Sequence, residues 1–495
     1  MSKAQSVAQR LSGVVRRGGS SSDLALAVIL TCSLMLVVDV TVVNIALPQV
    51  QVALHFSSTN LSWILNAYTL AYGGLLLLGG RAGDVLGRRT VFIGGLTLFT
   101  IASFLGGFAP NAAWLIVTRA AQGVGAAFAG PSTIALIVTN FTEGKQRNRA
   151  LGIYTAVVSA GSSIGLILGG IIVSGLSWRW VLFINVPIGI AAVLLAPRFI
   201  KEPPRNSGHL DIIGALIGTA GMVLLVYGFI SASSNGWSDQ MTLGAFALAV
   251  VLLALFLLVE IRSKAPILPL HLFANRNRAS GYLSVLLIAA TMFSMFFFLT
   301  QFLQDVLNFS PLVTGVAFLP WTLTLFGASR VIPQLVARFG AKRLVVVGAA
   351  LIAGAMAWLT QISAASTYPV DLLGPMLLFG AGAGCVFVPL YTLILSGVQG
   401  QDSGAAAGVL QTMQQVGGSL GLAILVTVFG SASRAAAQHP VAHASLQTQA
   451  HDILAQGIAT AFIVGTLFAV GLLVLTFWAI RAQSTPSATS SVVGD

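Results

Sequence analysis

The run LALAVILTCSLMLVVDVTVVNIALP, residues 24–48, contains a single charged side chain, that of Asp39. A helix needs about 20 predominantly apolar residues to cross the hydrocarbon core of a bilayer. The run meets that length, so it predicts a transmembrane helix near the start of the chain.

The composition extends this prediction to the whole chain of 495 residues, of which 56% are hydrophobic and 8% are charged. Soluble proteins contain about 25% charged residues. With a mean hydropathy of +0.91, the chain has too few charges to cover an apolar interior, which excludes an ordinary soluble enzyme and a disordered protein. The two cysteines, Cys32 and Cys385, lie in apolar runs, which excludes a disulfide scaffold.

Fourteen apolar runs are long enough to span a bilayer, and none shows the short alternating pattern of a membrane β-barrel. We therefore predict an all-α polytopic membrane protein with 14 transmembrane helices. The predicted spans are residues 24–48, 62–80, 91–109, 113–139, 150–175, 180–197, 211–232, 241–261, 280–306, 312–332, 344–363, 371–395, 404–430 and 453–480.

The distribution of Lys and Arg predicts the orientation. The N-terminal arm (residues 1–23) and all but one of the connections on the same side carry several basic residues, whereas the opposite connections carry only Arg179 and Arg434. Because cytoplasmic loops are enriched in Lys and Arg, we expect a multi-pass plasma (inner) membrane protein with both termini in the cytoplasm, including the tail of residues 483–495. The same bias explains the net charge of +12 without a nucleic-acid partner.

Two short sequence matches predict an internal repeat. AGSSIGL (160–166) resembles VGGSLGL (416–422), and Gly87-Arg-Arg corresponds to Gly340-Ala-Lys at nearly the same offset. Parallel repeats are typical of transporters whose substrate site lies between the two halves. We predict six-helix bundles at residues 24–200 and 280–482, and two extra transmembrane helices with their linkers at 201–279.

Asp39 and Arg119 are the main candidates for chemistry, because each is a charged residue deep within a predicted span. Charged residues inside the membrane are costly and by default functional. Burial disfavours the ionised form of a carboxyl group, so Asp39 is a candidate proton carrier, and Arg119 is a candidate partner that modulates it. The alternatives are a neutral Asp39 bonded to Thr41 or Asn44, and a fixed structural ion pair.

Two further patterns are candidates for conformational change. The sequence GRAGDVLGRR (80–89) predicts a cytoplasmic loop that allows a tight connection, in which Asp84 can pair with Arg88. On the fifth span, the spacing of small residues predicts a close helix contact, which is either static packing or a contact remade between states. These small residues are Gly161, Gly165, Gly169 and Gly170.

Polar and aromatic residues within the spans are the candidates for a substrate pocket between the halves. They are Asn44, Tyr68, Gln122, Phe296, Gln301, Trp321 and Gln411. Lipid contact explains the aromatic residues equally well. The sequence has no phosphate-binding loop and no histidine pair with metal-ligand spacing, so we predict no cofactor, no metal site and no use of ATP.

These motifs together resemble the major facilitator superfamily, and within it the 14-helix drug:proton antiporters of the EmrB/QacA type. Residues 80–89 look like the loop signature after the second helix, with Asp84, Gly87, Arg88 and Arg89 in place. LIVTRAAQGVGAA (115–127) looks like the fourth-helix signature, and SWRWVLFINVPIG (177–189) is similar to the marker entering the sixth helix. Asp39, with Thr41, Asn44 and Pro48, looks like the first-helix signature.

The resemblance implies alternating access, with substrate moved outward against inward protons. It makes Asp39 the proton and substrate carboxylate, Arg119 the coupling cation, and residues Gly80 to Arg89 an inner gate loop. One position departs from the antiporter signature of the fifth helix: Leu166 replaces a proline, which restores a backbone donor and removes a proline kink.

The leading hypothesis is therefore a proton-coupled exporter of lipophilic or cationic drugs that works as a monomer. The absence of acids from Gln411 to Gln415 favours monocationic or neutral substrates. A dedicated exporter of one endogenous metabolite, such as an antibiotic, lipid or siderophore, is the alternative within the class. A polytopic membrane enzyme or a non-transporting sensor is less consistent with two buried charges and no catalytic cluster.

Overall fold

The computed structural model describes residues 21–141, 144–205, 210–263, 266, 268–396, 398, 402–438 and 445–480. Most of the predicted N-terminal arm and the whole predicted tail, residues 483–495, lie outside these ranges. The α-helices are α1 (Ser21–Leu54), α2 (Trp63–Leu86), α3 (Arg88–Gly107), α4 (Ala112–Asn140), α5 (Lys145–Gly175), α6 (Trp180–Phe183), α7 (Asn185–Phe199), α8 (Ile212–Asn235), α9 (Gln240–Arg262), α10 (Arg276–Gln301), α11 (Pro311–Ala317), α12 (Leu319–Phe339), α13 (Ala341–Leu359), α14 (Leu373–Leu395), α15 (Ser403–Gln438) and α16 (Leu446–Ala479).

These helices form 14 segments that are long and apolar enough to cross a membrane, which confirms the predicted fold class. Two of the segments are interrupted: α6 and α7 together make one, and α11 and α12 make another. Several helices begin where a polar side chain accepts a bond from a backbone N–H of the first turn, which satisfies one of the free donors there. Such N-caps are Asn111, Asp211, Asp239, Asn275, Ser310 and Ser445.

The predicted loop at residues 80–89 is largely helical, so its predicted conformation is wrong. Helix α2 continues to Leu86, and α3 starts at Arg88. Only Gly87 interrupts the helices, with φ of 108°, a region that L side chains rarely adopt. The basic residues of the motif did not reveal that the apolar helix extends one and a half turns past Gly80.

The predicted repeat occupies equivalent places in the structure. Gly161 and Gly165 of α5 pack on α1, and Gly417 and Gly421 of α15 pack on α10. Gly340 has φ of 83° between α12 and α13, as Gly87 has between α2 and α3. The fifth span of each half thus packs through glycines on the first span of the same half.

Helices α1–α7 pack mainly among themselves, as do α10–α16. The two groups meet along a surface that we call the seam, where α2 lies on α15, α5 on α11, and α1 on α10. We name the two ends of the bundle after the first helix, as the Ser21 end and the Leu54 end.

The extra helices α8 and α9 lie at the side of the seam. Helix α8 contacts both α2 and α15, whereas α9 packs mainly on α8. On the α2 side, Thr219 lies against Gly74. On the α15 side, the Thr427 hydroxyl donates to the Phe229 carbonyl over 2.6 Å, and the Arg434 guanidinium donates to the Ser233 carbonyl. No pattern in the amino-acid sequence predicted that this helix bridges the two groups.

Candidate functional site

The structure brings the two predicted charged residues together in a buried ion pair. Arg119 Nη1 lies 2.6 Å from Asp39 Oδ2, and both side chains are at most 1% exposed. Helix α4, which carries Arg119, packs closely on α2 through Gly123: a Cβ there would lie 2.3 Å from the Tyr68 carbonyl oxygen. A side chain at Gly123 would therefore move Arg119 away from the centre of the bundle.

Arg119 has further partners that hold its guanidinium in one orientation. Its Nε donates to the Ile64 carbonyl over 3.1 Å, and its Nη1 also donates to Gln122 Oε1 over 2.9 Å. The guanidinium carbon lies 4.5 Å from the centre of the Tyr68 ring, within the range of a cation–π contact. Among the described residues, Nη2 has no hydrogen-bond partner.

The second carboxylate oxygen of Asp39 accepts bonds from two amides. Asn185 Nδ2 donates to Oδ1 over 2.8 Å, and Gln122 Nε2 donates to the same atom over 3.3 Å. Gln122 Nε2 also donates to the Ser103 hydroxyl over 2.6 Å. We call Asp39, Arg119, Gln122, Asn185 and Ser103 the carboxylate network.

Sequence reasoning missed Asn185 and Ser103. Asn185 lies in the quoted stretch SWRWVLFINVPIG, where an amide within an apolar span was a signal that it needs a partner. The predicted alternative partners of Asp39 are wrong. Thr41 donates to the Val38 carbonyl of its own helix, and Asn44 accepts from Thr300 across the seam.

The predicted pocket residues fall into three groups of contacts, and Gln301 stands apart from all of them. Tyr68 and Gln122 belong to the surroundings of Arg119, described above. Asn44 and Gln411 lie at the seam, where Gln411 donates to the Tyr72 hydroxyl over 2.9 Å. Gln301 is buried and donates to the Phe297 carbonyl of its own helix.

The third group is an aromatic cluster in the second half. The ring of Phe296 lies 4.7 Å from that of Trp321 and 5.0 Å from that of Phe318. Trp321 is buried, and its indole N–H has no hydrogen-bond partner among the described residues. This donor is available to a ligand that reaches the cluster.

At the Ser21 end, the motif at residues 80–89 is bonded to an acid that the sequence reasoning missed. Asp84 and Arg88 pair over 2.5 Å, as the spacing predicts. Glu202, which follows α7, accepts from the backbone N–H groups of Arg89 and Thr90 over 2.9 and 3.1 Å. A carboxylate at this place satisfies free donors of α3 and interacts favourably with the helix dipole.

The glycine helix α5 contacts both halves. A Cβ at Gly165 would lie 1.9 Å from Thr41 Oγ1, and one at Gly169 would lie 3.0 Å from the Val42 Cα, both on α1. A Cβ at Gly170 would instead lie 2.7 Å from the Leu312 Cα on α11. Leu166 is buried in an uninterrupted helix, and its carbonyl faces Gly315 across the seam.

A bundle of apolar helices that is divided by a seam, with an ion pair buried in one half, has the features of a secondary transporter. Residues 29–422 match the family model of the Major Facilitator Superfamily, and the chain belongs to that family. The family predicted from the motifs is thereby confirmed, and the protein is a membrane transporter of small substrates, not an enzyme.

The chain is similar over most of its length to proteins of antibiotic resistance. It is 42% identical to the puromycin resistance protein pur8 of Streptomyces alboniger, over 91% of this chain and 89% of that protein. It is 40% identical to the cephamycin export protein CmcT of Amycolatopsis lactamdurans, over 83% and 86%. It is 30% identical to the multidrug resistance protein Stp of Mycobacterium tuberculosis, over 80% and 74%.

Solved structures support the same fold. A bacterial homolog of the human lysosomal transporter Spinster, in an inward-facing and unoccupied conformation, matches with a TM-score of 0.68. The match covers 95% of this chain and all of that one at 15% sequence identity, so it bears on the fold alone.

Proposed function

We propose that this protein exports lipophilic or cationic drugs in exchange for protons, by alternating access between helices α1–α7 and α10–α16. The observation that supports this proposal most directly is the buried Asp39–Arg119 pair. An isolated ionised group is unstable in such a place, so a change in the protonation of Asp39 alters the balance of forces on Arg119. The names of the relatives support drugs as the substrates.

The partners of Arg119 other than Asp39 couple proton binding at Asp39 to a rearrangement of the helices. When Asp39 takes up a proton, it loses its charge, and the guanidinium keeps only the Ile64 carbonyl, Gln122 and the Tyr68 ring. These neutral partners compensate the buried charge less well than a carboxylate does. Protonation therefore favours a conformation in which Arg119 gains new partners or water.

The contacts at the seam support an inward-facing conformation. At the Leu54 end the halves are joined by bonds from Thr300 to Asn44, from Gln304 to the Ile45 carbonyl, and from the Leu312 N–H to Ser174. Toward the Ser21 end, helix α5 and the helix α12 that faces it have many exposed residues. With the Ser21 end in the cytoplasm, these three bonds close the seam on the outer side between α1 and α10 and between α5 and α11. Helices α2 and α15 stay in contact further toward the Ser21 end, through the Gln411–Tyr72 bond and between Gly408 and Leu77.

The remaining assignments belong to the same proposal. The protein is a monomer in the plasma membrane with both termini in the cytoplasm, and its halves are residues 24–200 and 280–482, with 201–279 between them. Asp84 and Arg88 take part in the inner gate. The close contacts of Gly165, Gly169 and Gly170 are remade when the halves change their relative position.

A dedicated exporter of one metabolite is the second candidate. It is favoured by the names of pur8 and CmcT, each of which refers to one antibiotic, whereas Stp is named for many drugs. A competition panel separates the two: one strong competitor indicates a dedicated exporter, and several unrelated competitors indicate a multidrug exporter.

The proposal is tested with purified protein in liposomes, by offering ethidium or puromycin against an imposed pH gradient. We expect the wild type to exchange the compound for protons and Asp39→Asn to lose exchange, because asparagine cannot release a proton. Asp305→Asn is the matched control, since Asp305 is an acid near the Leu54 end of α10 and outside the carboxylate network. Equal exchange by wild type and Asp39→Asn would refute the role of Asp39.

A further inference from the structure

We propose that Asn185 is a positioning residue for the proton site: its amide orients the Asp39 carboxylate and favours its charged form. The inference deepens the proposed function, on which it rests, by adding the sixth span to the coupling machinery. The Asp39 carboxylate on α1 then accepts hydrogen bonds from side chains of two other helices, α4 and α7.

The contact has the geometry of a strong hydrogen bond. Asn185 Nδ2 lies 2.8 Å from Asp39 Oδ1, and both residues are 1% exposed. Only the nitrogen of the amide can face a carboxylate oxygen, because the amide oxygen would be repelled. Hydrogen bonds to a charged group are about twice as strong as neutral ones, and burial removes competing water.

The bond acts on the oxygen that Arg119 leaves free. Arg119 binds Oδ2, whereas Asn185 and Gln122 both donate to Oδ1. A proton that arrives at Oδ1 must displace one of these donors. The amide of Asn185 therefore opposes protonation, and its removal favours the neutral acid.

The position of Asn185 is fixed by packing of the backbone. It is the first residue of α7, directly after the break between α6 and α7. One turn further on, a Cβ at Gly189 would lie 2.0 Å from the Thr100 hydroxyl, so α7 is pressed closely against α3. The amide is thus held in place by the close packing of α7 on α3.

Few other groups can account for a change in the protonation of Asp39. Among the described residues that face it, the titratable or charged ones are Arg119 on α4 and Tyr68 on α2. Helix α5 faces α1 there with Gly161 and Gly165, and α3 contributes the neutral Ser103 through Gln122. A variant of Asn185 leaves all of these groups in place.

The test is an infrared titration of the purified protein in detergent, which needs no substrate. The carboxylic acid band of Asp39 is identified by its absence from Asp39→Asn and is followed across pH. Asn185→Leu removes the donor, and Asn185→Ala removes it with a smaller side chain, in case the leucine variant does not fold. We expect both to raise the pH of half-protonation, by about one to two units for the loss of one charged hydrogen bond.

Two controls separate positioning from structure. Thr100→Ala alters the same pair of helices without touching Asp39, and it should leave the titration unchanged. Asn185→Gln keeps an amide and should recover part of the shift. The inference is overturned if Asn185→Leu or Asn185→Ala folds and its Asp39 shows no larger protonated fraction than the wild type at any pH.

The infrared titration and the liposome assay can fail independently of each other. If Asp39→Asn still exchanges protons for drug in liposomes, the proposed coupling fails, and the infrared titration still decides whether Asn185 controls the carboxyl group. If Asp39→Asn loses exchange and the Asn185 variants titrate like the wild type, only the positioning role fails.

Discussion

Replacing Gly165 by alanine should force α1 and α5 apart. The new Cβ would lie 1.9 Å from Thr41 Oγ1, 3.1 Å from Thr41 Cβ and 3.2 Å from the Val38 Cα. Thr41 can rotate its hydroxyl away only by giving up the 3.0 Å bond to the Val38 carbonyl. Because the next two atoms are at the limit of contact, rotation alone does not relieve the crowding.

The loss of folding stability in Gly165→Ala is obtained by comparison with a second glycine-to-alanine variant in the same helix. Overpacking a buried contact costs about 1–3 kcal/mol. Alanine also stabilises a helix by about 1 kcal/mol relative to glycine, which partly conceals that cost. Gly152→Ala is the matched control, because a Cβ at Gly152 meets nothing within 4 Å. The difference between the two variants cancels the helix term and should equal the overpacking cost.

The assay is thermal unfolding of the purified protein, with drug exchange in liposomes measured in parallel. We expect Gly165→Ala to unfold about 1–3 °C below Gly152→Ala and to exchange drug more slowly. Gly161→Ala should lie between them, since its nearest atom is the Leu34 Cδ1 at 3.1 Å. Thr41→Ala in the Gly165→Ala background should recover part of the loss, because it removes the hydroxyl at 1.9 Å but leaves the Thr41 Cβ and the Val38 Cα in place. Equal midpoints for Gly165→Ala and Gly152→Ala would refute the argument from close packing.

Two further changes test the seam and the gate. Thr300→Val removes the donor from the buried 2.6 Å bond to Asn44. A loss of about 1–3 kcal/mol from the closed state should raise about 5- to 150-fold the rate at which a cysteine introduced into the seam reacts with a membrane-impermeant thiol reagent, and an unchanged rate would contradict this. Gly87→Ala and Gly340→Ala both place alanine at positive φ, at a cost of about 1–3 kcal/mol each. Only the Cβ at Gly87 also meets a neighbour, the Glu202 carboxylate at 2.9 Å, so Gly87→Ala should lower the unfolding temperature more than Gly340→Ala; equal losses would show that Glu202 does not hold the gate.

The sequence predicted the helices well because their signal is local. An apolar run of sufficient length must lie in lipid, whatever its neighbours are. The ends were predicted less well. At residues 80–86, arginine and aspartate at the membrane surface resemble a loop in composition, although the backbone continues as a helix to Leu86. Charge at a membrane surface marks where the lipid ends and does not determine where a helix ends.

The candidate site was predicted in part. Asp39 and Arg119 stand out because a charge inside an apolar span is costly, and such a charge can be recognised from the sequence alone. Asn185 and Glu202 do not stand out, because an amide in a span or an acid in a linker acquires its role only from a partner far along the chain. The contacts around Asp39 and Arg119 join five helices, α1, α2, α3, α4 and α7, and no spacing in the sequence specifies them.

The sequence by itself determined that this protein lies in a lipid bilayer, how many membrane spans it has, and which two charged residues within those spans need partners. The tertiary structure decided which groups contact those charges. An amide of α7 donates a hydrogen bond to Asp39, and Arg119 contacts a carbonyl and an aromatic ring of α2. It also decided that the seam is closed at the Leu54 end and that α8 bridges both halves. The physical reason is that hydropathy sums over neighbours in the chain, whereas hydrogen bonds and close packing depend on distances that only the folded chain defines.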